Sequence, residues 1–147
     1  MAFEKERIPD EATLYCFVHK ANVDYKKGNV PRAAAFQNTP KEGDNLSSDW
    51  AEYSSAEETR ARIGKQFKFN SQVFKDPRDF GVLQMSVGIL RSEHYRQDIN
   101  YDPIFNDPEI LGVPNNKAHS IIVGEKDEQL RLDMVKISLW VIEPPPK

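Results

Sequence analysis

A chain of 147 residues in which 39% are hydrophobic and 29% charged has single-domain length and enough apolar side chain to bury a core without covalent staples. The net charge is -3, and the Lys and Arg residues are scattered rather than gathered into a stripe, which excludes the electrostatic footprint of a nucleic-acid binder. A single cysteine excludes an internal disulfide, and no segment approaches about 18 consecutive apolar residues, so no membrane span is expected. The start MAFEKERIPDEA is charged at once and has no apolar leader core; a soluble, cytoplasmic chain is the expectation.

Residues 1–12 are polar, with Pro9 followed by acidic side chains, and are expected as a flexible N-terminal arm. A single domain is expected over 13–143, with a proline-rich tail at 144–147. Leu14, Cys16 and Val18 alternate with Tyr15, Phe17 and His19, and both sets are largely apolar, which predicts a strand over 13–19 covered on both faces. Cys16 in that setting reads as a small buried hydrophobe rather than a nucleophile. From Lys20 to Asn45 the chain has loop chemistry, with one apolar patch, Ala33–Phe36, that docks on the core through Phe36. Asp49 is expected to cap a one-turn helix, with Leu46, Trp50 and Tyr53 packed beneath the helix that follows. Ser55 and Glu58 form a capping box and Gly64 a stop, predicting a helix over 56–63. The phenylalanines and valine of 66–74 suggest an edge strand or an extended loop.

The alternation of Leu83, Met85, Val87 and Ile89 with Gln84, Ser86 and Gly88 predicts a strand over 82–90 at the centre of the sheet, next to 13–19. Val87 and Ile89 are then core residues, and Arg91 leaves the strand end. The segment His94–Lys117 carries three prolines and four acidic residues among large apolar ones, and a connection of that length without periodicity is more often a docking or functional loop than an idle one. Residues 118–123 form a β-branched strand closed by Gly124. The last stretch, 128–142, fits a helix with Leu130, Met134, Ile137 and Val141 on one stripe, or a strand with Val135, Ile137, Leu139 and Val141 aligned. The helix is favoured by a length of about 15 residues, the Asp127 cap and the following Pro144. The fold class is therefore α+β: a small mixed sheet with a short central helix, a C-terminal helix and two long loops.

His19, His94 and His119 do not have the spacing of a helical metal pair and no second cysteine accompanies them, so no metal is expected. His119 opens a strand beside a loop in which Asp102 or Asp107 could fix its tautomer, and a hydrogen-bonded structural histidine is favoured over a catalytic one. Arg91 reads as solvated or ion-paired. There is no G-x-S-x-G, no phosphate loop and no dinucleotide fingerprint. Glu57 with Glu58, and Asp127 with Glu128, sit where helix N-termini favour negative charge, so capping accounts for them.

The strings LYCFVH, AAAFQ, NLSSDW, GVLQMSVG, DPIFNDPE and KAHSIIVGEK, from Leu14 to Gly124, resemble a group of small bacterial proteins without a settled activity. In that group an LYR-V-H start, an AF step, an LS-DW step and an NPAHA-I-G step recur in this order. Cys16 stands where the group has arginine, and the resemblance implies a compact bacterial domain and assigns no catalytic residue. The LY-type first strand, the serine step and the short helix are also similar to ADP-ribosyltransferase-like folds. That resemblance implies a nicotinamide pocket near Ser47 or Ser48 and a glutamate on a late strand, where this chain offers only Glu143 before three prolines.

Two functional expectations follow. The first is a non-enzymatic binding or accessory protein without cofactor, meeting another protein or a second copy of itself through Tyr101, Ile104, Phe105, Ile110 and Leu111, and meeting neither nucleic acid nor membrane. The alternative is an enzyme on nucleotide or NAD-like substrates, with Arg91 and His119 sharing a cleft.

Overall fold

Both alternating apolar sets of the first strand find cover, and the rest of the molecule is arranged on the two faces they define. In the computed structural model, which describes residues 6–40 and 43–147, the elements in order are β1 (Thr13–His19), β2 (Val23–Asp24), β3 (Val30–Pro31), β4 (Leu46–Trp50), α1 (Ala56–Ile63), β5 (Phe80–Ser86), α2 (Val87–Arg91), β6 (Asp98–Tyr101), β7 (His119–Val123), α3 (Glu128–Ile137) and β8 (Leu139–Ile142). The main sheet has six strands in the order β6-β7-β4-β1-β5-β8, and β2 pairs with β3 apart from it. The class is α+β; every pairing in the sheet is antiparallel rather than mixed.

On one face Leu14, Cys16, Val18, Leu46, Trp50, Leu83, Met85, Ile99 and Ile122 pack with Phe36 and with Met134 of α3 into the main core. Phe36 is fully buried, as its place in an isolated apolar patch predicts, and α3 rests on the 33–36 turn. The opposite face carries Phe17, Asp49 and Val82, and α1 covers it with Ala56 and Ile63 buried. The α1 capping box forms in both directions, Glu58 N–H to Ser55 Oγ at 3.1 Å and Ser55 N–H to Glu58 Oε1 at 3.0 Å.

Several expectations are corrected. The strand expected over 82–90 ends at Ser86, whose hydroxyl accepts from the Ile89 amide and starts α2. The reason is non-local: Val87 N–H and Gly88 N–H donate to the carbonyls of Ala12 and Asp10, and a side chain at Gly88 would meet the Asp10 carbonyl oxygen at 2.9 Å. Val87 is buried, but Ile89 turns outward at 44% exposure and is not a core residue. Strand β5 does pair with β1, yet β4 and β1 hold the centre of the sheet. Asp49 caps no helix; it lies within β4, and Leu46 and Trp50 belong to the main core on the face away from α1. The expected long loop after Arg91 contains β6, whose Ile99 and Tyr101 are buried. The helix favoured over 128–142 ends at Ile137, and Leu139–Ile142, Val141 included, form a strand that pairs with β5. Within the segment expected as an arm, residues 1–5 lie outside the described ones, while Ile8 is buried in the core. No helix among the described residues is long and apolar enough to cross a membrane.

Candidate functional site

The two central strands do not stay together. Pairing between β1 and β4 consists of Leu14 with Trp50 and Tyr15 with Asp49, and a cleft of about 600 Å³ opens where the ladder stops. It is lined by Cys16–His19 of β1, by Leu46 and Ser47 of β4, by Ala34 and Ala35, and by Arg62, Asn116 and His119. Phe69, at 92% exposure, and Val113, at 39%, bring apolar surface to it from two loops. Gly112, at φ +82°, lets the second of these loops lie against the Phe67 ring, which stacks on Phe74.

Two polar groups define its chemistry. In the first, Asp49 accepts from Thr59 Oγ1 at 2.8 Å and from Arg62 at 2.7 Å through one oxygen, and from Asn116 Nδ2 at 2.7 Å through the other. A carboxylate this deep requires partners of that number, since an unpaired buried charge costs several kcal/mol, about 3–5 by comparison with broken buried pairs. The group ties α1 to the sheet and to the segment before β7. In the second, His119 Nδ1 stands 2.7 Å from the Asp102 carbonyl oxygen and 3.3 Å from its Oδ2, while Nε2 stands 3.2 Å from Ser47 Oγ. A carbonyl oxygen cannot donate, so Nδ1 carries a proton, and Nε2 is turned toward the Ser47 hydroxyl.

Strand register produces this second group. Ser47 lies opposite Ile121 and Asp49 opposite His119, so Ser47 and His119 are diagonal neighbours on one face. Trp50 N–H donates to the Ala118 carbonyl and Ala51 N–H to that of Thr13, so β4 amides alternate between β7 and β1. Continuing the alternation, the Ser47 N–H points toward β1, into the opening. Cys16 forms part of the wall with its Sγ 3.7 Å from the Ser47 carbonyl oxygen, and burial together with the Asp49 charge pushes its thiol up to about 12. Burial disfavours its thiolate, the form a nucleophilic cysteine needs. Behind it Lys126 donates to Asn38 Oδ1 at 2.5 Å and to the carbonyls of Ile122 and Gly124 at 2.9 Å, with its pKa lowered to about 8 by burial.

Among the residues singled out from sequence, His119 is in the cleft and Asp102, rather than Asp107, orients it. Arg91 is elsewhere: its guanidinium donates to the carbonyls of Ile8 and Ile99 at 2.6 and 3.1 Å and to Asp10 and Asp98 at 2.8 and 3.1 Å. It clamps the N-terminal segment to β6 and shares no cleft with His119. Glu143 is not among the cleft residues either. Tyr101 is core, its hydroxyl donating to the Lys117 carbonyl at 2.7 Å and its ring packed on Trp50 and Tyr53. Ile104 is half-buried, whereas Phe105, Ile110 and Leu111 are exposed. Asp49 reads in sequence as a helix cap, and Arg62 and Asn116 carry no local signal; the one pointer to the group is LSSDW, where Ser47 and Asp49 share a strand face. No group of metal-ligating side chains is found among the described residues.

No family model, curated protein or solved structure matches this chain. The fold and the site define it on their own terms, as an α+β protein whose antiparallel sheet opens at its centre into a polar-based, apolar-rimmed cleft.

Proposed function

We propose that the protein binds a small molecule with an apolar body and an oxygen-bearing polar end in the cleft between β1 and β4. The observation that carries this reading is the cleft itself, about 600 Å³ and walled by apolar side chains, with Ser47, Arg62, Asn116 and His119 converging on it. That volume and that mixture of apolar wall and few placed polar groups are what sites for small ligands have, typically about 300–1,000 Å³. The polar end is expected to be an acceptor, because the Ser47 amide and the remaining Arg62 N–H groups are donors. The probe is 1-anilinonaphthalene-8-sulfonate, an aromatic body with an anionic head. Saturable one-to-one fluorescence enhancement that weakens about tenfold in Phe69→Asp and Val113→Asp supports the reading. Both positions are exposed, so the variants keep their melting temperature, and unchanged binding in both would overturn it.

A second reading, binding of a partner protein through the segment after β6, is supported by the exposure of Ile110 at 52% and Leu111 at 75%. Its simplest form is a second copy of this chain. Sedimentation that shows a self-associating parent and a monomeric Leu111→Glu variant supports it, and a monomeric parent removes that form.

A further inference from the structure

We propose that Ser47, His119 and Asp102 are a nucleophile, a general base and a positioning residue for the hydrolysis of small carboxylic esters bound in the cleft. This rests on the small-molecule reading above and names its substrate class.

Three geometric facts carry it. The proton on His119 is held at Nδ1 by an acceptor that has no proton to give, so Nε2 is left as the base, and it faces the hydroxyl it would deprotonate at 3.2 Å. His119 itself is only 4% exposed, which confines its ring to that orientation, while Ser47 lines the cleft and is reachable from it. The third fact is the direction of the Ser47 amide, which the alternation along β4 turns toward β1 at a point where β1 no longer pairs, so that it can donate to an oxygen bearing developing negative charge. The constellation is recognised by these roles and not by sequence order, and it needs no nucleophile-elbow motif.

The chemistry balances without a cofactor. Ser47 Oγ forms a bond to the ester carbonyl carbon as its proton passes to His119 Nε2, and the oxyanion is met by the Ser47 N–H. Collapse breaks the bond to the alkoxy group, which takes the proton from Nε2 and leaves as an alcohol. Water then attacks the Ser47 ester, giving a proton to Nε2, and that proton returns to Oγ as the carboxylic acid departs. Asp102 acts only through His119, holding the ring by its carbonyl and, at 3.3 Å, placing a carboxylate beside the imidazolium that forms. Esters rather than amides are the substrate class because an alkoxide leaves more readily than an amide ion, and the site offers one evident oxyanion donor rather than a full set. The apolar walls favour a short, uncharged acyl chain.

The test uses 4-nitrophenyl butyrate and a fluorophosphonate. The parent protein is expected to turn over the ester, with kcat/KM reduced about 100-fold or more in Ser47→Ala and in His119→Gln. Asp102→Asn is expected to lower kcat while leaving KM, a split that a purely structural residue would not produce, and its half-exposed side chain leaves the fold intact. The fluorophosphonate should add its mass to Ser47 in the parent, which keeps the test decisive even where a variant fails to fold. No turnover and no label on Ser47, with the naphthalene sulfonate still bound, overturns the hydrolysis and leaves the binding reading. Loss of that binding as well overturns both.

Discussion

Asp102 and His119 are bonded to each other in both directions: the Asp102 amide donates to the His119 carbonyl at 2.9 Å, and His119 Nδ1 donates to the Asp102 carbonyl at 2.7 Å. The pair closes a ring across the start of β7 and the end of β6, so the histidine's tautomer is set by backbone rather than by a mobile side chain. The orientation of Nε2 toward Ser47 is thereby a property of the fold.

Asp49 is the carboxylate whose removal should be felt most widely. Asp49→Ala leaves Arg62 without its buried counter-charge and strips a hydrogen-bond acceptor from Thr59 and Asn116. We expect a loss of about 3–5 kcal/mol, measured by denaturant unfolding, and a protein in which α1 and the 114–118 segment exchange amide protons faster than β1 and β5.

Arg91 is expected to be structural. Arg91→Ala should cost about 3 kcal/mol, because it breaks two hydrogen bonds to carbonyls and two ion pairs around a guanidinium whose side chain is 12% exposed. Binding in the cleft should be unchanged below the melting transition, which fluorescence titration of the variant checks.

At Gly81, β5 runs tightly against β8 and the Pro144 backbone beyond it. A Cβ there would meet Trp140 Cζ3 at 2.7 Å, the Ile142 carbonyl oxygen at 2.8 Å and the Pro144 nitrogen at 2.9 Å. Two of these are backbone atoms that cannot turn aside, so Gly81→Ala should destabilise by about 3 kcal/mol through overpacking, read as a lowered melting temperature. Trp140 fluorescence should shift to the red as the edge strand loosens.

Cys16 makes stability depend on alkaline pH in a defined direction. Its folded-state pKa is raised from 9.0 to about 12, chiefly by burial, so between these values the native protein retains a proton that the unfolded chain has lost. The contribution is present below pH 9 and is lost as pH rises toward 12, so stability falls through this window. Lys126, lowered from 10.5 to about 8, contributes with the opposite slope between those values, because there the unfolded chain binds the extra proton. The difference in unfolding free energy between the parent and Cys16→Val isolates the thiol, and that difference should shrink with rising pH. A pH-independent difference would contradict the assignment.

Where each part of the fold was legible depends on how far apart its causes lie along the chain. Strand β1, helix α1 with its Ser55–Glu58 box, the Phe36 anchor and strand β7 are written in periodicity, capping and turn chemistry within a few residues, and they stand where the sequence placed them. The break at Ser86 is not, because the alternation through Ile89 is a strand pattern. It is interrupted by carbonyls from Ala12 and Asp10, more than seventy positions away in the sequence. The same holds for β8, whose apolar residues look like a continuing helix face until β5 supplies an edge to pair with. The site is the extreme case. His119 and Asp102 could be named together from their neighbourhood in sequence, but Ser47 joins them only because β4 lies beside β7, and the cleft exists only because β1 and β4 part after Tyr15 and Asp49. Local patterns therefore determined which segments extend or coil and which side chains seek burial. Tertiary pairing decided which polar groups meet, since a register between distant strands is set by the sum of their packing and not by any one of them.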